Sequence, residues 1–333
     1  MIFSKKKYLI IHHNDRDGIM SAAVIIENLQ TKNMVHTADI DLLEVDYATP
    51  LKDFEQVKNA KKYKEIYIVD YSISNEINKN AMIDMFKKTK LVWIDHHQSS
   101  IDYINKYPEL ANIIGYRITG AAGCALCYFF INSLFKNTLK NILSKSNTST
   151  PVNPKEVSLA LKNLGASQYL IYSHRYDIWD VDNEVYAFNK GFICDKSPFA
   201  YTYLLRDSQT ISSQFNITLK NGYIIKKYTD SMNNISVDKY AIKANLIING
   251  VRHKTIIMNT TRCSSTIFGD KFKEYDFAIV FFLRPDMKWQ HSIYTAWEFD
   301  CKQIAESNGG GGHKQAAGFI SDYMFGNLDL EFE

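Results

Sequence analysis

The sequence predicts an α/β/α domain built on a parallel sheet, followed by a smaller α+β domain. Three observations predict it. Short apolar runs alternate with helical segments through the first half. Those runs are apolar on successive residues, as in strands buried on both faces. From about Ile235 the texture changes to β-like runs around a strong hairpin signal.

The elements follow in order. YLIIHH (8–13), EIYIVDY (65–71), LVWIDHH (91–97) and NIIGY (112–116) read as strands, and 42–45 adds another. Apolar residues at helical spacing predict helices over 18–30 and over 75–87, the second behind a Ser74-Asn75 cap. Residues 121–145 read as one long helix. SNTSTPVNP (146–154) breaks the pattern as a polar loop, and a further helix starts near Pro154 and runs toward His174. Residues 182–234 are mixed and partly helical. YAIKANLIIN and VRHKTIIMNT then flank Asn249-Gly250, a hairpin. A helix (SSTIFGDKF), two strands (DFAIVFFL, HSIYTAW) and a helix (CKQIAESN) lead to GGGGHKQAAGF. The expected division is a first domain over 1–190, a partly helical connector over 191–234 and a second domain over 235–333.

The 333 residues are 46% hydrophobic, enough for a sizeable core and two domains. A net charge of +3 gives no broad basic footprint for a long nucleic acid, while leaving room for a local phosphate pocket. Cys124 and Cys127 form a CxxC inside an apolar helical stretch, with no second ligand pair near, so they read as small core residues and reduced thiols. The N-terminal apolar run is too short for a signal peptide, and no stretch approaches a membrane span. A soluble cytoplasmic protein is expected.

Three of the strands end in ligands. The first runs into His12, His13, Asn14, Asp15, Arg16 and Asp17, the second into Asp70, and the third into Asp95, His96 and His97. In an open parallel sheet, strand C-terminal ends gather along one edge, where ligands bind. That edge would collect His13, Asp15, Asp17, Asp70, Asp95, His96 and His97. Carboxylates packed so closely need cations, and two divalent ions bridged by one carboxylate such as Asp70 would satisfy them. Mixed carboxylate and imidazole donors suit manganese or a similar first-row ion better than magnesium alone. Any single acid there also reads as an ordinary turn or cap residue.

HNDRDG, IVDYS, IDHH and GGGGHKQAAGF occur in that order over nearly the whole chain. Together they resemble the DHH phosphoesterase superfamily with the DHH-associated C-terminal domain. The first motif is most similar to the nano-RNase B type of oligoribonuclease. The resemblance implies that His13 and Asp15 hold one Mn2+ with Asp70. It implies that Asp17, Asp70 and His96 hold a second, with Mg2+ or Co2+ as substitutes. It adds one further Asp, best matched by Asp177 in SHRYDIWD, with Asp180 and Asp182 as neighbouring alternatives. His97 would face a substrate phosphate, and Asp95 would orient the histidines. Two ions about 4 Å apart would lower the pKa of a bridging water, and the resulting hydroxide would attack phosphorus in line.

In the second domain, Gly309, Gly310, Gly311 and Gly312 would let backbone N–H groups approach an anion, with His313 and Lys314 adding donors. A cleft between the domains would take short substrates. Two features depart from the family pattern. Arg16 stands between the two motif acids, where it either reaches a substrate phosphate or is structural. Where an Arg is expected in the strand before the last helix, the chain has Tyr294, which would stack on a base; Arg262 and Arg284 are possible replacements. His12 reads as a neighbour of the site, and His174, His253 and His291 as structural.

The expected activity is hydrolysis of short oligonucleotides to mononucleotides. The alternative is a phosphodiesterase for cyclic or linear signalling dinucleotides. An inactive nucleic-acid-binding protein conflicts with the full ligand set, and the glycine-rich string argues against a pyrophosphatase. A long-strand exonuclease conflicts with the low net charge. RNA or DNA preference, cleavage polarity and assembly as a homodimer are left open by the residues.

Overall fold

The structure is a computed structural model that describes residues 7–73, 75–132, 136–194, 196–206, 209–261, 264–312 and 314–333. Ser74, Arg262 and His313 lie outside the described residues. Packing divides the chain into two units, one through Tyr223 and one from Ile224.

In the first unit, β1 (Lys7–His13), β2 (Ile40–Val45), β3 (Tyr63–Val69) and β4 (Lys90–Ile94) form a parallel sheet in the order β2-β1-β3-β4. Between them run α1 (Arg16–Thr31), the short α2 (Glu55–Lys58) and α3 (Glu76–Lys88), and α4 (Gln98–Lys106) follows β4. Both sheet faces are covered. Leu9, Ile11, Ile66, Ile68, Leu91 and Trp93 pack with Met82 and Met85 of α3 and Ile104 of α4. Ile10, Tyr67, Val69, Val92 and Ile94 pack on the opposite face with Met20 and Val24 of α1. This two-sided burial is why each strand reads as an uninterrupted apolar run, each large side chain contributing about 1.5–3 kcal/mol. The predicted NIIGY strand lies beside β4 as an irregular extension: Trp93 N–H donates to Ile114 O at 2.8 Å and Asp95 N–H to Tyr116 O at 2.9 Å.

Two expected helices are divided. Over 121–145 there are α5 (Gly123–Ile131) and α6 (Lys136–Leu143). The first closes at Asn132, whose side-chain amide donates to Tyr128 O at 3.0 Å in competition with further helix. From Pro154 there are α7 (Pro154–Asn163) and α8 (Gln168–Asp177). They are separated by Gly165 at φ 74, and Ser167 caps the second by accepting from Leu170 N–H at 3.4 Å. Next come α9 (Asn183–Gly191) and α10 (Gln209–Tyr240). Cys124 and Cys127 are buried, unbridged core residues, as expected.

The second unit holds β5 (Ile242–Ile248), β6 (Val251–Asn259), β7 (Phe277–Leu283), β8 (Trp289–Tyr294), α11 (Cys301–Glu306), β9 (Gly311–Gly312), β10 (Ala316–Ser321) and β11 (Leu330–Phe332). The strands form one mixed sheet in the order β11-β5-β6-β7-β8-β10-β9, in which only β6 and β7 pair in parallel. Asn249 and Gly250, at φ 53 and 78, make the predicted two-residue hairpin. Phe277, Ile279 and Phe281 pack with Cys301 and Ala305 of α11, and Ala278 and Val280 pack on the other face with Val237 and Phe268. Among the described residues, no helix is long and apolar enough to cross a membrane.

Candidate metal centre

The strand order β2-β1-β3-β4 reverses direction between β1 and β3, so a crevice opens at their C-terminal ends. β1 delivers His12 and His13 there. Asp15 then caps α1, accepting from Gly18 N–H at 2.9 Å, and Asp17 sits in the first turn. The β1–α1 turn needs glycine, because a Cβ on Gly18 would lie 2.2 Å from His13 O. β3 ends at Asp70, a non-glycine residue at φ 52 whose N–H donates to Ile94 O at 2.9 Å. β4 ends at Asp95, followed by His96 and His97.

These side chains meet. His96 Nε2 lies 3.2 Å from Asp70 Oδ1, 3.4 Å from Asp177 Oδ2 and 3.8 Å from Asp17 Oδ2. His13 Nδ1 lies 2.8 Å from Asp15 Oδ2. Three trios each offer ligand atoms within 4.8 Å of one another: His13–Asp15–Asp70, Asp17–His96–Asp177 and Asp70–His96–His97. Asp70 is shared by two of them. Asp95 is fully buried and accepts from Ser100 Oγ, and its Oδ1 lies 2.8 Å from His97 Nδ1.

The donor set fits divalent cations. Both Asp70 oxygens and Asp177 Oδ2 are buried without a hydrogen-bond partner. Buried polar atoms of this kind normally have one. Burial, then the Asp17 and Asp15 charges, push the Asp70 carboxyl well above the usual carboxylate range. Burial and the same two acids push Asp177 up to about 8. Asp15 behaves oppositely: burial raises it, but the adjoining His13 ring and Gly18 amide outweigh burial and hold it at about 2. Carboxylates crowded beyond what their surroundings stabilise, mixed with imidazole nitrogens, suit first-row divalent ions.

Residues 7–159 match the DHH family, N-terminal domain. The structure also resembles solved structures at low identity. Exonuclease RecJ bound to manganese is 14% identical over 95% of this chain and 86% of that chain, with a TM-score of 0.48. An exopolyphosphatase-related protein from Bacteroides fragilis is 15% identical over 94% and 86%, at 0.43. The pGpG-specific phosphodiesterase PggH from Vibrio cholerae is 10% identical over 95% and 93%, at 0.39. No curated protein matches the chain.

The segment that matches the DHH family is buttressed by residues that carry no motif. The N-terminus of α5 grips Asp17: Gly123 N–H donates to Oδ2 at 2.6 Å and Cys124 N–H to Oδ1 at 2.9 Å. The preceding amide, Ala122 N–H, donates to His174 Nδ1 at 3.2 Å, tying α5 to the helix that carries Asp177. Arg117 is buried and donates to Trp93 O at 2.9 Å and Ile113 O at 3.0 Å, fixing the backbone beside Asp95. Nothing in the sequence within a few residues of Gly123 or Arg117 reports these partners.

His174 makes a measurable prediction. Burial, then the neighbouring His96 charge, depress its pKa to about 3 from an ordinary 6.5. The unfolded chain therefore binds a proton between those values that the folded chain does not. Stability is full above pH 6.5 and falls as the pH drops toward 3. Urea unfolding in EDTA should show His174→Gln losing less stability than wild type between pH 6.5 and 4, by on the order of 3 kcal/mol. Parallel pH profiles would contradict the assignment.

The remaining predicted residues are placed as follows. Arg16 Nη2 donates to Phe192 O at 2.7 Å and Asn189 O at 3.2 Å, beneath the Tyr176 and Phe192 rings, so its contacts are structural. Asp180 and Asp182 are occupied by Arg175 at 2.8 and 2.9 Å, and Asp182 also caps α9. Asp177 alone of the three acids reaches the cluster. In the second unit, Gly309–Gly312 and Tyr294 line an open pocket of about 540 Å³. The glycine amides are not all open to an anion: Gly309 N–H donates to Glu306 O at 3.0 Å and Gly310 N–H to Ala305 O at 2.8 Å. Gly311 and Gly312 pair with β10. Lys314 Nζ donates to Glu298 at 3.1 Å. Arg284 is held by Asp286 at 3.1 Å. His291 Nε2 lies 2.7 Å from Met324 O, and His253 packs edge-on to Phe277 and Phe299.

Proposed function

We propose that this protein is a manganese-dependent phosphodiesterase of the nano-RNase B type that hydrolyses short oligonucleotides to mononucleotides. The observation that carries the reading is the set of overlapping ligand trios that meet at Asp70 and His96, with both Asp70 oxygens buried and lacking a hydrogen-bond partner. His13, Asp15 and Asp70 would hold one ion, and Asp17, Asp70, His96 and Asp177 the other. Bound divalent ions would supply Lewis acidity and a nucleophilic water at neutral pH.

The chain's own residues then bind and polarise the phosphodiester. His97 is half-exposed, and its Nδ1 faces Asp95. Burial lowers its pKa, but the bond to Asp95 and the Asp95 charge outweigh burial and raise it to about 9. In the ion-free protein the ring is thus held as a cation, whose Nε2 would donate to a phosphoryl oxygen as charge grows there. Asp95 holds the ring from behind and is itself pinned by Ser100. The pocket lined by Tyr294 and Gly312 is the proposed seat for a terminal nucleotide.

The test is a product profile in Mn2+ with oligonucleotides of graded length beside cyclic and linear dinucleotides. Mononucleotide release is expected to be fastest from the shortest oligomers and to stop with EDTA. Preferential opening of a cyclic dinucleotide would move the assignment to a signalling phosphodiesterase. No Mn2+-stimulated cleavage of any diester would overturn both.

A further inference from the structure

Two residues beyond the end of β2 stands Tyr47, which neither the motifs nor the ligand cluster uses. Its backbone is fixed by Asp46, whose side chain accepts from Ala48 N–H at 2.9 Å and Thr49 N–H at 3.3 Å. Its ring stacks on Tyr71 at 5.1 Å and 17°. Tyr71 is fully buried and accepts from the Asn78 side chain at 2.9 Å, so the support is rigid. The same ring lies 5.1 Å from the His13 imidazole, tilted by 43°. Its hydroxyl turns inward to accept from Ser72 N–H at 3.4 Å. Yet Tyr47 is 44% exposed. A large aromatic side chain anchored at its hydroxyl, backed by a buried ring and open to solvent beside a metal ligand is not serving the core.

Given the phosphodiesterase reading, on which this inference rests, we propose that Tyr47 is a specificity-determining residue that stacks the nucleobase attached to the phosphate at the metal centre. The base is the part of such a substrate that offers a π-face, and stacking tolerates any base. The anchoring lowers the entropy lost on binding, because the ring is already held. Polyphosphates and abasic sugar phosphates have nothing to lay on the ring and gain nothing from it.

The experiment is calorimetric binding in Mn2+ of AMP and of ribose 5-phosphate to wild type, Tyr47→Leu and Tyr47→Phe. Tyr47→Leu is expected to weaken AMP about tenfold to a hundredfold, leaving ribose 5-phosphate and Mn2+ affinities unchanged. Tyr47→Phe, which keeps the ring, should stay within roughly twofold of wild type for AMP. Unchanged AMP binding in Tyr47→Leu overturns the proposal. So does a parallel loss of Mn2+ and ribose 5-phosphate, which would make Tyr47 only a prop for His13. Absence of dinucleotide cleavage by wild type overturns the phosphodiesterase reading and this inference with it, whereas cleavage with unchanged AMP binding in Tyr47→Leu overturns this inference alone.

Discussion

Asp70→Asn is expected to cut Mn2+-stimulated phosphodiester cleavage by at least about a thousandfold while making the metal-free protein more stable. The opposite signs come from one side chain. Both its oxygens are buried without partners, among Asp15, Asp17, Asp95 and Asp177, and two of the ligand trios need it. Asparagine keeps the volume and tolerates the positive φ of 52. It removes a carboxyl that the metal-free protein can keep only by holding a charge or taking up a proton against its ordinary preference, and brings an N–H group that neighbouring carboxylates can accept from. Urea unfolding in EDTA at neutral pH should show a gain of about 2 kcal/mol, and titration calorimetry should show Mn2+ binding lost. A variant that binds Mn2+ like wild type, or that is less stable without it, would refute the shared-ligand arrangement.

Gly123→Ala is expected to lower Mn2+ affinity about tenfold to a hundredfold. A Cβ there would lie 2.9 Å from Asp17 Oδ2, 2.9 Å from Asp70 Cβ and 3.1 Å from Ser21 Oγ. Asp17 in the first turn of α1 and Asp70 after β3 would have to move together, and Asp17 would drift off the α5 amides that hold it at 2.6 and 2.9 Å. Competition with a fluorescent chelator reads the metal affinity directly. Wild-type affinity in this variant would show that the α5 N-terminus does not set the position of Asp17.

The ligand-bearing end of the sheet was legible because strands buried on both faces read as unbroken apolar runs. Tyr8 to Ile11, Ile66 to Val69 and Leu91 to Ile94 are apolar without a break, so His13, Asp70 and Asp95 mark where the apolar run stops and the polar lining of the crevice begins. The Asn249-Gly250 hairpin was legible for a local reason, since both residues must take positive φ. Helix lengths were less legible. A single Gly165 in the left-handed region divides a pattern whose apolar spacing runs straight through it.

Asp177 marks the limit of local reading. SHRYDIWDVD offers three acids within six residues, and only resemblance favoured the first. Arg175 decides it in space by binding Asp180 and Asp182 and leaving Asp177 to face His96. Arg16 was similarly undecided until Phe192 and Asn189, more than 170 residues away, supplied its carbonyl partners. Likewise, the glycine run suggested an anion loop, while α11 and β10 take up its backbone groups.

By itself the sequence determined the two-domain α/β and α+β character, the strands that end in acids and imidazoles, and the chemical type of ligand they would hold. These depend on hydrophobic periodicity and short-range backbone preferences, which neighbouring residues encode. Tertiary structure alone decided which acid completes the cluster, which amides brace Asp17, and that Tyr47 stands half-exposed beside His13. Such facts arise where segments distant in the chain pack to within a few ångströms, and no local pattern records that approach.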